Sequence, residues 1–173
     1  MQFRHPWKTN NKAPTVAQAS VNMTIGITAY ENNDFESIDI TGAYLHAKTP
    51  NDEKEIVLLG KPETSIIVEI FPEFQKYVTN DYTMFLTIDK AMYGMIESAF
   101  YWFDDISKTL INDSYVQNPV DECVFSYVDK NKNKSIIDLW SDDLFHSYTK
   151  NCLTLRDKLR NLLLICQLKQ KNQ

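Results

Sequence analysis

The segment that most restricts the fold is Ile136–Phe145, IIDLWSDDLF, in which two apolar runs flank Ser141, Asp142 and Asp143. Aspartate pairs between two β-prone runs are turn signals. The segment therefore predicts a β-hairpin with carboxylates at its tip. An isolated Asp-Asp pair is usually only a solvated turn, so these two carboxylates acquire a chemical meaning only if a second acidic segment reaches the same place.

A second acidic segment lies upstream, at Phe35–Ala47, FESIDITGAYLHA. Its first half predicts a short strand with Ile38 and Ile40 on one face and Asp39 on the other. A small-residue bend follows, and then the aromatic Tyr44. The simplest alternative is an edge strand whose aspartate faces water, because short motifs often match by chance.

Together the two segments contain the ligand types that a two-metal site requires. Two divalent ions about 3.5–4 Å apart need carboxylates from more than one chain segment, and magnesium prefers oxygen ligands. We expect Asp39 and Asp142 to lie on neighbouring antiparallel strands, with their carboxylates within roughly 4–6 Å of each other. Asp143 is the weaker ligand candidate, because adjacent residues on an extended chain point to opposite sides.

The chain resembles the reverse transcriptase domain of copia-type LTR retrotransposons. That family carries Asp-x-x-x-Ala-Phe/Tyr-Leu, then Leu-Tyr-Gly-Leu-x-x-Ser-Pro-x-x-Trp, then Tyr-Val-Asp-Asp. The corresponding segments here are DITGAYL at Asp39–Leu45, AMYGMIESAFYW at Ala91–Trp102, NPVDECVF at Asn118–Phe125 and WSDD at Trp140–Asp143. Because the blocks occur in the family's order, they are far more specific together than any one of them alone.

The resemblance implies an α+β fold, the palm core of a right-hand polymerase, with an antiparallel sheet packed on helices and only remnants of the fingers. It implies a fragment of a retrotransposon reverse transcriptase, an RNA-directed DNA polymerase (nucleotidyltransferase). Such an enzyme carries out template-directed DNA synthesis with two Mg²⁺ or Mn²⁺ ions. Its partners would be an RNA or DNA template-primer and deoxynucleoside triphosphates.

The resemblance also assigns roles to individual residues. Asp39, Asp142 and Asp143 would be the catalytic residues and the metal ligands. Tyr44 would sit beneath the sugar of the incoming nucleotide and reject a 2′ hydroxyl by its bulk. Gly94 and Ser98 would line the nucleotide site, the glycine by allowing the backbone to approach closely.

Several positions depart from the family pattern. Trp140 and Ser141 replace Tyr-Val, and Ala99 replaces the proline after the motif serine. Asp138 lies on a strand expected to be buried, where an uncompensated carboxylate costs several kcal/mol or acquires a raised pKa. The basic fingers hairpin is reduced to residues 1–12, and thumb and RNase H sequences do not follow. We therefore expect impaired activity in the isolated chain, and a non-catalytic nucleic-acid-binding or interaction module derived from a retroelement is the alternative.

The charge balance gives polymerase function no independent support. The chain has 18 Lys and Arg against 23 Asp and Glu, a net charge of −5, whereas phosphate contacts come from basic side chains. No apolar run approaches the ~20 residues of a membrane span, and no signal-peptide pattern opens the chain. The sequence thus predicts an intracellular protein without a membrane partner, and it leaves the oligomeric state open.

The pattern predicts a disordered segment at 1–12 and one partial polymerase domain at 13–173. An inward helix face is expected at Val16, Ala19, Met23, Ile27 and Tyr30, in a helix that opens at Pro14. A long helix is expected at 96–112, with one face formed by Phe100, Phe103, Ser107, Leu110 and Ile111, and with Trp102 and Ile106 beside it. A last helix is expected through about Leu168, with Leu155, Leu159, Leu162, Leu163 and Cys166 inside.

Overall fold

The computed structural model describes residues 13–50 and 55–168. The chain divides into two compact units, one from residues 1–47 and 91–173 and the other from Lys48–Lys90. The predictions made for residues 1–12 and for the Cys166 side chain lie outside the described part.

The described chain contains four α-helices and seven β-strands. The helices are α1 Gln18–Tyr30, α2 Lys61–Ile70, α3 Ser98–Asn112 and α4 Leu153–Leu168. The strands are β1 Asp34–Asp39, β2 Ile56–Leu59, β3 Met84–Thr87, β4 Val116–Gln117, β5 Val124–Val128, β6 Lys134–Trp140 and β7 Asp143–Tyr148. In the first unit, five strands form one antiparallel sheet in the order β1-β7-β6-β5-β4. The expected combination of an antiparallel sheet with helices is confirmed.

The predicted acidic hairpin is confirmed as β6 and β7. Trp140 pairs with Asp143 across the ladder, so the connecting turn contains only Ser141 and Asp142. Ser141 adopts a positive φ of 56°, which a two-residue turn between twisted strands often requires. Asp143 is therefore the first residue of β7 and not a turn residue.

The core of the first unit lies between one sheet face, α3 and α4. Its residues include Trp102, Ile106 and Leu110 from α3, Leu159 and Leu163 from α4, and Phe125, Ile137, Leu139 and Leu144 from the sheet. The inward positions predicted for Leu155, Leu159 and Leu163 on the last helix are confirmed. On α3 the predicted face was partly wrong. Tyr101 and Trp102 are buried, whereas Phe100 and Phe103 are half-buried and Ile111 is exposed, because helix and sheet meet one position further round.

Helix α1 presents a different face to the sheet from the one predicted. Met23 is 67% exposed and Tyr30 is 92% exposed, while Thr24 and Thr28 are buried. This face is chosen by hydrogen bonds rather than by apolar packing. The Thr24 hydroxyl donates to Asp138 Oδ1 at 3.0 Å, and the Thr28 hydroxyl donates to Ser147 Oγ at 2.8 Å. Polar side chains from β6 and β7 thus select the threonine face of a helix that contains no charged residue.

The start of α1 is capped from a distance. Asp121 Oδ2 accepts hydrogen bonds from the Ala17 N–H at 2.9 Å and from the Ser20 hydroxyl at 2.5 Å, and Oδ1 accepts from the Cys123 N–H at 3.1 Å. The helix has no side-chain cap from its own N-cap residue. Asp121 therefore supplies the acceptor that exposed helix N–H groups need.

A buried polar network joins α4 to the sheet. His146 Nε2 lies 2.9 Å from the Ser135 hydroxyl, and His146 Nδ1 lies 3.2 Å from Glu36 Oε1. The other Glu36 oxygen accepts from Arg160 Nε at 3.0 Å. Burial lowers the pKa of His146 despite the adjacent Glu36 carboxylate. The neutral imidazole therefore acts as a structural link between β6, β1 and the helix.

The second unit consists of the antiparallel β2–β3 pair, α2 and a 3₁₀ helix at Pro72–Tyr77. Thr49 and Thr64 are buried in this unit. The Thr49 hydroxyl donates to the Ile88 carbonyl, and the Thr64 hydroxyl donates to the Leu59 carbonyl. The strands expose Ile56, Leu58 and Phe85 along one face. None of the helices in either described range combines the length and apolar character that crossing a membrane requires.

Candidate active site

The two acidic segments meet at neighbouring ends of β1 and β7. Asp39 is the register partner of Asp143, and the Ile40 N–H donates to the Asp142 carbonyl at 2.9 Å. Nothing local in the sequence forces this meeting. Strands β1 and β7 are antiparallel neighbours, as expected, but Asp142 lies in the turn immediately before β7 and not on the strand itself. The predicted separation of the Asp39 and Asp142 carboxylates stays a prediction.

The hairpin tip is fixed by its neighbours. Trp102 Nε1 donates to the Ser141 carbonyl at 2.8 Å, and the Tyr44 hydroxyl lies 3.1 Å from Ser141 Oγ. With the hydrogen bond from Ile40, the residue after β1, to the Asp142 carbonyl, these contacts hold both turn residues in place. Trp102, only 1% exposed, is therefore a structural residue.

The bend after β1 brings Tyr44 to this tip. Gly42 has a φ of 67°, a left-handed conformation that suits glycine, and the chain then enters a 3₁₀ helix at Ala43–His46. The Thr41 hydroxyl lies 3.3 Å from Asp39 Oδ2 and orients that carboxylate. The bend explains how a residue five positions after Asp39 lies beside the opposite hairpin.

A tight turn at residues 92–95 presents another tyrosine to the same place. The Met95 N–H donates to the Met92 carbonyl at 3.2 Å, and Gly94 has a φ of 97°. Positive φ at the third position is the mark of a type II turn, which favours glycine there. The centroid of the Tyr93 ring lies 4.7 Å from the centroid of the Tyr44 ring, with the two ring planes tilted by 38°.

The two nucleotide-site candidates in this turn have different surroundings. Gly94 is exposed, and a Cβ atom added to it would meet no other part of the described chain within 4 Å. Ser98 is fully buried, and its hydroxyl donates to the Met92 carbonyl at 2.5 Å. Ser98 thus supports the turn from inside, and the predicted contact of both residues with a nucleotide stays a prediction. Tyr93 was missed by sequence reasoning, although it lies inside the motif that contains both residues.

The electrostatics place both aspartates around Tyr93. Partial burial raises the pKa of the Tyr93 hydroxyl, and the negative charges of Asp142 and Asp39 raise it further. The Tyr93 hydroxyl therefore lies near enough to both aspartates for their negative charge to act on it. Asp39 and Asp143 are exposed, and Asp142 is half-buried, so these side chains are open to solvent.

The donor chemistry fits a hard divalent cation. Carboxylate oxygens are the ligands that Mg²⁺ and Mn²⁺ prefer. Among the residues described, no cluster of three or more His, Cys, Asp or Glu side chains is arranged to hold a metal by itself. Mg²⁺ commonly takes only one or two carboxylates and fills its other positions with water and substrate phosphates. Asp39 and Asp142 are candidate ligands for that type of site, and their metal binding stays a prediction.

Comparison with known families gives the class of protein. The family model described as reverse transcriptase (RNA-dependent DNA polymerase) matches residues 5–170. Because the match extends over nearly the whole chain, this protein belongs to the reverse transcriptase family. Neither the curated proteins nor the solved structures contain a match.

Proposed function

We propose that this chain is the palm core of a copia-type retrotransposon reverse transcriptase and carries its nucleotidyl-transfer site. The observation that supports the proposal most directly is the β1–β7 register, which pairs Asp39 with Asp143 and sets Asp142 beside them. The hairpin tip is held by contacts from Ile40, Tyr44 and Trp102, as a preorganised site requires.

In this proposal Asp39 and Asp142 bind the divalent cations, and Asp143 is the weaker third ligand. When bound, two Mg²⁺ or Mn²⁺ ions supply charge neutralisation on the triphosphate and activation of the primer 3′ hydroxyl. Thr41 orients the Asp39 carboxylate, and the Ile40 N–H fixes the backbone of Asp142. Positioning and electrostatics are the main contributions that a protein makes to this reaction.

Tyr44 would control which sugar enters. It is half-buried beside the acidic residues, and its hydroxyl contacts Ser141 at the hairpin tip. A ring held in this way blocks volume next to the bound nucleotide, so a 2′ hydroxyl would collide with it. The substrates would be deoxynucleoside triphosphates, with an RNA or DNA template-primer as partner.

Primer extension tests the proposal in two forms of the protein. The isolated chain should incorporate little or no nucleotide, because its net charge of −5 opposes the binding of template-primer. The same chain joined to the fingers and thumb of a copia-type relative should extend the primer with Mg²⁺ or Mn²⁺. Asp142→Asn should abolish that extension, and the exposed Asp157→Asn on α4 is the matched control. Binding of template-primer without extension in the joined form would contradict the catalytic proposal and favour a binding module.

A further inference from the structure

The side chain of His46 closes the bend that follows β1. His46 is the last residue of the 3₁₀ helix at Ala43–His46, and its Nε2 lies 3.2 Å from the Thr41 carbonyl oxygen. Because a carbonyl oxygen can only accept a hydrogen bond, the ring proton is assigned to Nε2, and the imidazole donates. The end of the bend is therefore joined to its beginning by a side chain.

Two groups of the proposed active site lie within this closed bend. The hydroxyl of Thr41, whose carbonyl His46 holds, donates to Asp39 Oδ2 at 3.3 Å. Tyr44 lies between the two joined ends, and its hydroxyl is 3.1 Å from Ser141 Oγ at the hairpin tip. A shift of the bend would therefore move the group that orients Asp39 and the ring of Tyr44 together.

The bend contains a flexible residue whose conformation such a contact can fix. Gly42 adopts a φ of 67°, and glycine has more backbone freedom than any other residue. Backbone hydrogen bonds such as that from the Leu45 N–H to the Gly42 carbonyl, at 2.9 Å, close single turns of the bend. The His46 contact spans the bend from Thr41 to the end of the 3₁₀ helix, so it limits how far the chain on either side of the glycine can move.

The chemistry of the His46 ring favours a positioning role over simple packing. Its centroid lies 6.1 Å from that of Trp102, whose Nε1 donates to the Ser141 carbonyl at the hairpin tip. His46 Nδ1 is buried and has no hydrogen-bond partner among the described residues. Because an orphaned nitrogen is unfavourable, a phenyl ring would suit packing alone better than an imidazole. The feature that the histidine adds is the donor at Nε2.

We propose that His46 is a positioning residue for nucleotidyl transfer, which holds the bend so that the Tyr44 ring excludes a 2′ hydroxyl. This inference rests on the proposed function, because it takes the sugar-excluding role of Tyr44 from it. His46 acts through Thr41 and Tyr44 rather than on the nucleotide itself. Loss of its donor should therefore relax the selection of the sugar more than it lowers the stability of the fold.

Single-nucleotide incorporation tests the effect on selectivity, in the chain joined to the fingers and thumb of a copia-type relative. His46→Phe keeps a ring beside Trp102 but removes the donor. The ratio of kcat/KM for a deoxynucleotide to kcat/KM for the matching ribonucleotide should then fall about 3- to 10-fold. His46→Gln carries an N–H at nearly the same reach and should restore most of the ratio. Tyr44→Ala removes the ring itself and should lower the ratio further.

The inference and the proposed function fail in different ways. A ratio that falls in Tyr44→Ala but not in His46→Phe would overturn the positioning role and leave the proposed function intact. A ratio that falls equally in His46→Phe and His46→Gln would also overturn it, because the donor would then not be the cause. A ratio that Tyr44→Ala leaves unchanged would overturn the sugar-excluding role of Tyr44, and the inference with it.

Amide hydrogen exchange in the isolated chain gives a readout that requires no activity. The Leu45 N–H, bonded to the Gly42 carbonyl, should exchange faster in His46→Phe but not in His46→Gln. The Leu139 N–H, bonded to the Cys123 carbonyl at 2.9 Å, is the control and should keep its rate. Equal acceleration at both amides, or a His46→Phe chain that does not fold, would show that His46 serves global stability and would overturn the inference. Unchanged exchange of the Leu45 N–H would overturn it as well.

Discussion

At the scale of single residues, Asp138 is a buried carboxylate in the sheet whose charged form lowers the stability of the fold. It is 1% exposed, and its Oδ1 accepts a hydrogen bond from Thr24 at 3.0 Å. Its Oδ2 has no partner within the described structure. Burial raises the pKa of Asp138 to about 6, and Asp121 contributes to the rise. The buried carboxylate that the sequence predicted is therefore present, and it is only partly compensated.

The raised pKa of Asp138 makes the stability of the fold depend on pH. The folded protein holds the Asp138 proton more tightly than the unfolded chain, whose carboxyl titrates near 3.8. The stability contributed by Asp138 is complete below that value and is lost as the pH rises through about 6. Above pH 6 the fold carries the full cost of the buried charge.

We predict that replacing both members of this pair, in Thr24→Val/Asp138→Val, stabilises the protein at pH 7. Replacing both partners of a buried hydrogen bond by apolar groups avoids an orphaned polar atom. The gain in free energy of unfolding over the unmodified chain should grow by about 1–3 kcal/mol between pH 4 and pH 7. Chemical denaturation at both pH values measures it. Single Thr24→Val is the control and should destabilise at pH 7, and a gain independent of pH would contradict the argument.

At the scale of elements, α1 is held by polar contacts while its apolar residues face outward. Asp121 accepts hydrogen bonds from two groups at its start, and Thr24 and Thr28 bond to strands β6 and β7. Burial raises the pKa of Asp121, but the hydrogen bonds from Ser20, Ala17 and Cys123 outweigh this effect and lower it overall. The carboxylate form is thus the one that stabilises the helix.

We predict that Asp121→Ala destabilises the protein by about 1–2 kcal/mol at pH 7, the usual cost of a lost helix cap. The contribution of a carboxyl with a lowered pKa is present above its unfolded value and is lost as the pH falls through the folded one. The difference between variant and unmodified chain should therefore shrink below about pH 4. Thermal denaturation followed by circular dichroism measures it, with the exposed neighbour Glu122→Ala as control. A loss that persists unchanged at pH 3 would show that the Asp121 charge is not the cause.

At the scale of the whole molecule, alternation and turn signals predicted β1 and the β6–β7 hairpin, and periodicity predicted the inward face of α4 but not that of α1. The β6–β7 hairpin and the Asp39 strand follow from local patterns, and their meeting followed from the family resemblance. The orientation of α1 could not be predicted, because its partners Asp138 and Ser147 are distant in sequence. The two-residue strand β4 is too short to leave a pattern. Tyr93 was missed because Tyr44, the ring that it contacts, comes from another motif.

The division into two units leads to the last prediction. The chain leaves the first unit at Ala47 and returns at Ala91, and these fully buried residues are joined by a hydrogen bond of 3.0 Å from the Ala91 N–H to the Ala47 carbonyl. An insertion whose ends meet in this way can be removed without stretching the parent unit.

Replacing Lys48–Lys90 by a short Gly-Ser linker should therefore leave a chain with a cooperative thermal transition. Leu159→Ala, at a fully buried core position, should destabilise both the full chain and the shortened chain by about 2–5 kcal/mol, and it should lower the melting temperature of both. A shortened chain without a cooperative transition, or one indifferent to Leu159→Ala, would show that the sheet and its helices depend on the second unit to fold.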